Sequence, residues 1–173
     1  MDKDRDPEGS ARRNGVGYRE IIGTRQEAGE PLLLTVIFTD RSATLVALRR
    51  AAELAHGMKA SIRVLVVQTV PRSVPLTCPP VDPLFRARQF STWFQDTPVS
   101  TFFDLRLCRD KNTCLQGALE PSSIVIVGET EHRLWSKSER TLAERLRTWG
   151  HEVIFIPAEK KASPLQRLLN RFS

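Results

Sequence analysis

Asp40 and Ser42 follow directly on an apolar run at residues 32–38. A carboxylate and a hydroxyl at a strand end can accept hydrogen bonds from the amino group of a ligand. They can equally cap a helix that starts there, which needs no ligand. Gly128 closes a second apolar run at residues 124–127, and Glu129, Glu131, His132, Arg133 and Ser136 follow it. A glycine at that point lets backbone N–H groups approach an oxyanion closely, and a hydroxyl such as that of Ser136 adds a donor. Glu129 and Glu131 work against this, because like charges in close contact repel by about 1 kcal/mol or more in partly screened surroundings. Two carboxylates are too few to define a divalent-cation site.

The remaining reactive side chains do not assemble into a catalytic pattern. His56, His132 and His151 lie far apart, and no Ser/His/Asp order or nucleophile elbow is present. Neither a Gly-Lys-Ser/Thr phosphate loop nor a Gly-x-Gly-x-x-Gly fingerprint occurs. The three cysteines form an odd set without metal-ligand spacing. Cys108 and Cys114 flank a turn; they read as inert buried thiols, or as redox sensors if Arg109 or Lys111 activates one of them. The expectation is a protein that is not an enzyme and holds no metal.

These residues need elements to position them, and the hydrophobic pattern supplies an alternation. Residues 32–38, 62–67 and 124–127 are apolar on both faces, as central parallel strands covered by helices are. Residues 99–108 alternate, with Phe103, Leu105 and Leu107 on one side and Phe102, Asp104 and Arg106 on the other, which suits an edge strand. Residues 153–156 form the last strand. Between them, Leu45, Leu48, Ala51, Ala52 and Ala55 recur at helical spacing over residues 42–56, with Gly57 as a stop. Leu84, Phe85, Phe90, Trp93 and Phe94 mark a second helix after a proline-rich loop at residues 71–83. Thr113 with Gln116, and Ser136 with Glu139, are capping-box patterns for a third and a fourth helix. The order implies an α/β fold: a doubly wound five-stranded parallel sheet with helices on both faces. In such a sheet ligands sit at the carboxyl ends of the strands where their order reverses, here after Phe38 and after Val127.

The ends read differently from the middle. Residues 1–30 carry six basic and seven acidic groups with little apolar clustering, and are expected to be a disordered leader. Residues 31–157 are the α/β domain. Residues 158–173 read as a basic amphipathic helix, with Leu165, Leu168, Leu169 and Phe172 on one stripe and Arg167 and Arg171 beside it. Its expected docking sites are its own domain, a protein partner or an anionic surface. The net charge of +6 is read as solubility rather than specific nucleic-acid binding. No apolar leader and no run of about 18 apolar residues is present, so a cytoplasmic location is expected.

Taken together, the order of elements, Thr39-Asp40-Arg41-Ser42, the Ala-rich end of the first helix (Ala51-Ala52-Glu53-Leu54-Ala55, then Gly57), the run into Gly128, and Ser138-Glu139-Arg140-Thr141-Leu142 resemble the universal stress protein family over residues 32–157. The resemblance implies an adenine nucleotide alpha hydrolase-like fold and a stress-related regulatory role. It also implies a homodimer through the last strand, Val153, Ile154, Phe155 and Ile156. ATP-binding members place the nucleotide against residues matching Asp40, Ser42, Val67, Gly128 and Ser136. Their loop after the fourth strand reads Gly, two residues, Gly, nine residues, Gly, then Ser or Thr. Read without gaps, only Gly128 survives here, with Glu131, Thr141 and Leu142 at the later positions; aligned on the last helix, Ser136 matches but Trp135 replaces the glycine. Arg41 stands where the family has Gly after the Asp. The expectation is therefore a non-enzymatic regulatory or interaction protein with a degenerate nucleotide-binding site and no ATP bound in the family manner. The alternative is an ATP-dependent switch that retains slow hydrolysis.

Overall fold

The computed structural model describes residues 15–22, 32–58, 60–77, 82–94, 100–130 and 133–158. Strands and helices alternate through β1 (Gly15–Ile22), β2 (Leu33–Ile37), α1 (Arg41–Met58), β3 (Ser61–Thr69), α2 (Pro83–Phe94), β4 (Thr101–Cys108), α3 (Lys111–Ala118), β5 (Ile124–Gly128), α4 (Arg133–Thr148) and β6 (Glu152–Ile156). The sheet order is β1-β4-β3-β2-β5-β6. Strands β2 to β6 are parallel, and the order reverses between β2 and β5, so the expected switch point is present.

Each strand alternates between two cores, as a period of two requires. Leu34, Val36, Ile62, Val64, Phe103, Leu105 and Ile126 pack against Ala47, Leu48, Ala51 and Ala55 of α1 and Phe90 of α2. On the other face Ile37, Leu65, Val125 and Val127 pack against Leu115 of α3 and Leu142 and Leu146 of α4. The small residues of α1 let it lie close over β2 and β5. Among the described residues no helix is long and apolar enough to cross a membrane.

The sheet differs from expectation at one margin. It has six strands rather than five, because residues 15–22 of the expected disordered leader form β1. That strand pairs antiparallel with all of β4, from Gly15 opposite Cys108 to Ile22 opposite Thr101. β4 is consequently interior and not the edge strand its alternation suggested. The polar side of that alternation is buried for a different reason. Asp104 is 1% exposed and accepts from Arg106 Nε at 2.7 Å and Nη2 at 3.0 Å. Arg63, 3% exposed on β3, donates to Thr35 Oγ1 from Nε (3.2 Å) and Nη2 (3.0 Å), to Ala118 O from Nη1 (3.0 Å), and lies 3.9 Å from Asp104. The guanidinium of Arg63 thus closes the carboxyl end of α3 where the helix dipole is negative. Charged residues are tolerated inside the sheet because they satisfy one another.

Two helix starts also differ. Asp110, not Thr113, caps α3: its carboxylate accepts from Thr113 N–H at 2.8 Å and from the Thr113 hydroxyl at 2.7 Å, which hold its carboxyl below the usual range. α4 begins at Arg133, so Ser136 lies within its first turn and not at the N-cap position expected for it. Residues 159–173, expected as the basic amphipathic helix, fall outside the described residues.

Candidate functional site

The carboxyl ends of β2 and β5 meet across the switch point. Thr39 donates from Oγ1 to the carbonyl of Gly128 at 3.3 Å, and its own N–H reaches Thr44 Oγ1 at 3.3 Å. Asp40 caps α1: its Oδ1 accepts from Ala43 N–H at 2.9 Å and from the Ser42 hydroxyl at 2.8 Å. Of the two roles open to Asp40 and Ser42, the structure contains the cap. Arg41, at the position where the resemblance has a glycine, turns its guanidinium over the Trp93 ring at 5.2 Å from the centroid. A shallow cleft of about 430 Å³ opens beside Asp40, Arg41, Ser42 and Leu45.

Gly128 is buried, and its glycine character has a packing cause. A β-carbon there would overlap the carbonyl oxygen of Ala43 in the first turn of α1. Asp40 and Gly128 are thus joined through one residue: Ala43 gives its N–H to the first and its carbonyl surface to the second. Val67 lies one strand away on β3, partly buried against Ile37, Leu65 and their neighbours, as a core residue would be. Ser136 lies in the first turn of α4, and its side chain is outside the described residues.

Directly after Gly128 two backbone donors, those of Glu129 and Thr130, are taken. Glu129 N–H bonds Ile156 O at 2.8 Å, which ties the loop to β6. Thr130 N–H donates to Glu139 Oε2 at 3.0 Å, and the Thr130 hydroxyl also faces that carboxylate. Glu139 is 6% exposed. Burial raises its pKa; the Thr130 N–H offsets this in part, and the Asp40 charge adds to the rise. Glu129, also buried, accepts from Arg140 Nε at 2.9 Å and Nη2 at 2.8 Å, and from Ala158 N–H at 3.2 Å. Sequence reasoning weighed Glu129 but missed Glu139, which it assigned to a helix cap. The signal for it was an acid six residues into a helix whose charged residues are otherwise mostly Arg and Lys.

A second cleft, about 400 Å³, lies between α3 and α4 and is lined by Thr39, Lys111, Asn112, Lys137, Ser138, Glu139, Thr141, Leu142 and Arg145. Arg145 is steadied by Asn112 at 2.5 Å. Lysine and arginine cations with neighbouring hydroxyls are the donor set an oxyanion would use. Among the described residues no group of three or more His, Cys, Asp or Glu could hold a metal ion. Cys108 and Cys114 are both free and buried. Burial raises the Cys108 thiol and pushes Cys114 up to about 12, which is the setting of unreactive thiols.

No family model matches the chain, and no curated protein matches it. Among solved structures, a crystal structure of a protein from the universal stress protein family of Burkholderia pseudomallei is similar, with 20% identity and a TM-score of 0.48 over 76% of this chain and 100% of that one.

Proposed function

We propose that this protein is a non-enzymatic regulatory or interaction module of universal-stress-protein type, and that it does not bind ATP in that family's manner. One observation carries the reading: the N–H groups of Glu129 and Thr130, which follow Gly128, are bonded to the chain's own Ile156 carbonyl and Glu139 carboxylate. A triphosphate entering that loop meets a buried carboxylate instead of a free N–H, and the repulsion adds to the desolvation of both groups. The other proposed remnants of a nucleotide pocket are likewise engaged, Asp40 and Ser42 in a helix cap and Gly128 in close packing.

The interaction part of the reading rests on β6. Val153, Ile154, Phe155 and Ile156 are apolar yet only partly buried, and β6 is the sheet margin opposite β1. Such a strand is suited to pairing with its copy across a twofold axis. Equilibrium dialysis of the full chain with labelled ATP tests the first part, with no saturable uptake expected; micromolar affinity sinks it. Sedimentation equilibrium tests the second, with a dimer expected for the native chain and a monomer for Ile154→Lys.

A second reading, a nucleotide-dependent switch, is favoured by the cleft between α3 and α4, where Lys111, Lys137 and Arg145 stand with Thr39 and Ser138. The same dialysis separates the two.

A further inference from the structure

The two faces of β6 are covered unequally. Val153 and Phe155 turn to the core that holds Leu142 and Leu146 of α4, the helix packed on this strand. Ile154 and Ile156 turn to the opposite core, where α1 lies over β2 and β5. Ile126, the register partner of Ile154 one strand inward, is fully buried, whereas Ile154 and Ile156 are only partly so. Glu152 shares their face by the period of two and is exposed. Leu54 of α1 borders the same strip: it follows Ala43, which touches β5 at Gly128, by about three helical turns, and is itself partly buried. Beside α1 the sheet margin thus carries an apolar strip of Ile154, Ile156 and Leu54, with a carboxylate at its amino end.

The chain that follows β6 starts from a fixed point. Glu129 N–H bonds Ile156 O at 2.8 Å, and Ala158 N–H bonds Glu129 Oε2 at 3.2 Å, so the exit of the strand is tied to the β5–α4 loop. In the sequence that comes next, Leu165, Leu168, Leu169 and Phe172 share one helical stripe after a Ser163-Pro164 start. We propose that residues 159–173 fold back as a helix antiparallel to β6 and lay this stripe on Ile154, Ile156 and Leu54. The lengths agree. The link at residues 159–162 reaches up to about 13 Å, enough for the roughly 10 Å between packed layers. A helix from Ser163 to Phe172 covers about 15 Å, and β6 about 16 Å. Charge agrees as well. An antiparallel run carries Arg171 to the amino end of β6, where Glu152 is exposed, while Arg50 on the same flank of α1 is already paired with Glu53 at 2.7 Å. The alternatives within the domain are poorer. α4 occupies the other face of β6, and the cleft between α3 and α4 bears Lys111, Lys137 and Arg145, which repel a segment holding Lys160, Lys161, Arg167 and Arg171 against the one acid Glu159. Edge-to-edge pairing of β6 uses backbone groups in the plane of the sheet and leaves this face free, so the contact stands whether or not the chain dimerises.

A nitroxide on Asn170→Cys, on the polar side of the stripe, tests the contact in the full chain by nuclear magnetic resonance. Cys78→Ser removes one competing thiol, and Cys108 and Cys114 are buried from the reagent. Isotope-labelled, spin-labelled chain diluted into excess unlabelled chain reports contact within one molecule. Isotope-labelled chain mixed with spin-labelled chain reports contact between two. In the first sample the methyl signals of Ile154, Ile156 and Leu54 are expected to lose most of their intensity relative to the reduced label, while Val16 on β1, at the far margin of the sheet, keeps its own. Leu168→Asp with Leu169→Asp is expected to restore them. Loss of intensity in the mixed sample alone places the segment on a second copy and overturns the proposal. So does loss in neither sample, or loss that survives the two Asp substitutions. None of these outcomes bears on ATP binding, which the dialysis tests separately.

Discussion

Gly128 and Ala43 touch backbone to backbone, β5 against the first turn of α1, with no room between them for a β-carbon. Gly128→Ala is therefore expected to destabilise the fold by about 1–3 kcal/mol through overpacking. Gly57 is a useful counterpart, since nothing lies within 4 Å of a β-carbon built there and it sits in the last turn of α1. Gly57→Ala should stabilise by about 0.5–1 kcal/mol. Urea denaturation of the two variants gives shifts of opposite sign if both assignments are right.

Asp40 serves α1 as a cap, so Asp40→Ala should cost about 1 kcal/mol while Asp40→Asn, which can still accept from Ala43 N–H, should cost only a few tenths. A role confined to ligand contact predicts no stability change in the unliganded protein for either variant.

The buried charge cluster is sensitive to losing Asp104. Asp104 lies between Arg63 and Arg106, and Asp104→Asn leaves one wholly buried guanidinium without its countercharge. The expected cost is about 3 kcal/mol, the range found when one partner of a buried pair is removed. Thermal unfolding of the variant measures it.

Two buried groups give the stability opposite pH dependences. Burial lowers the pKa of His151, whose Nδ1 meets the Ser123 hydroxyl at 3.0 Å. The unfolded chain then binds that proton more readily, so the contribution is present above about 6.5 and is lost as pH falls toward the folded value. His151→Asn should flatten urea midpoints between pH 7.5 and 5.5.

Glu139 has the reverse sign. Its raised pKa means that its contribution is complete below its unfolded value and is lost as pH rises through the folded one. Glu139→Gln keeps an oxygen acceptor for Thr130, so it should be more stable than the native chain at pH 7 and lose that advantage in acid. A variant less stable at pH 7 contradicts this.

The parallel core was legible because its strands are apolar on both faces, and α1 because its small residues repeat at helical spacing. β1 was not, because Gly15–Ile22 holds two glycines and two charges in eight residues; a strand whose partner lies far along the chain leaves no local signature. Gly17 illustrates the point: a β-carbon there would press on the Arg106 guanidinium at 2.8 Å, so its small size answers a residue that sequence distance hides. In the site, Asp40 and Gly128 were found by position, but their roles are set by Ala43, which carries no chemical signal of its own. Glu139 was read locally as a cap when its partner, Thr130, lies across the turn.

The pairing of β1 with β4 also sets an order of events during synthesis. β1 leaves the ribosome about eighty residues before its partner, since Ile22 lies opposite Thr101. At roughly 5–20 residues per second, it waits about 4–16 s with nothing to pair with. Its two glycines and its charged Arg19 and Glu20 make it a poor template for premature association during that interval. The nascent chain can therefore pair β2 with β3 first and add β1 once β4 has emerged, before β5 and β6 are made.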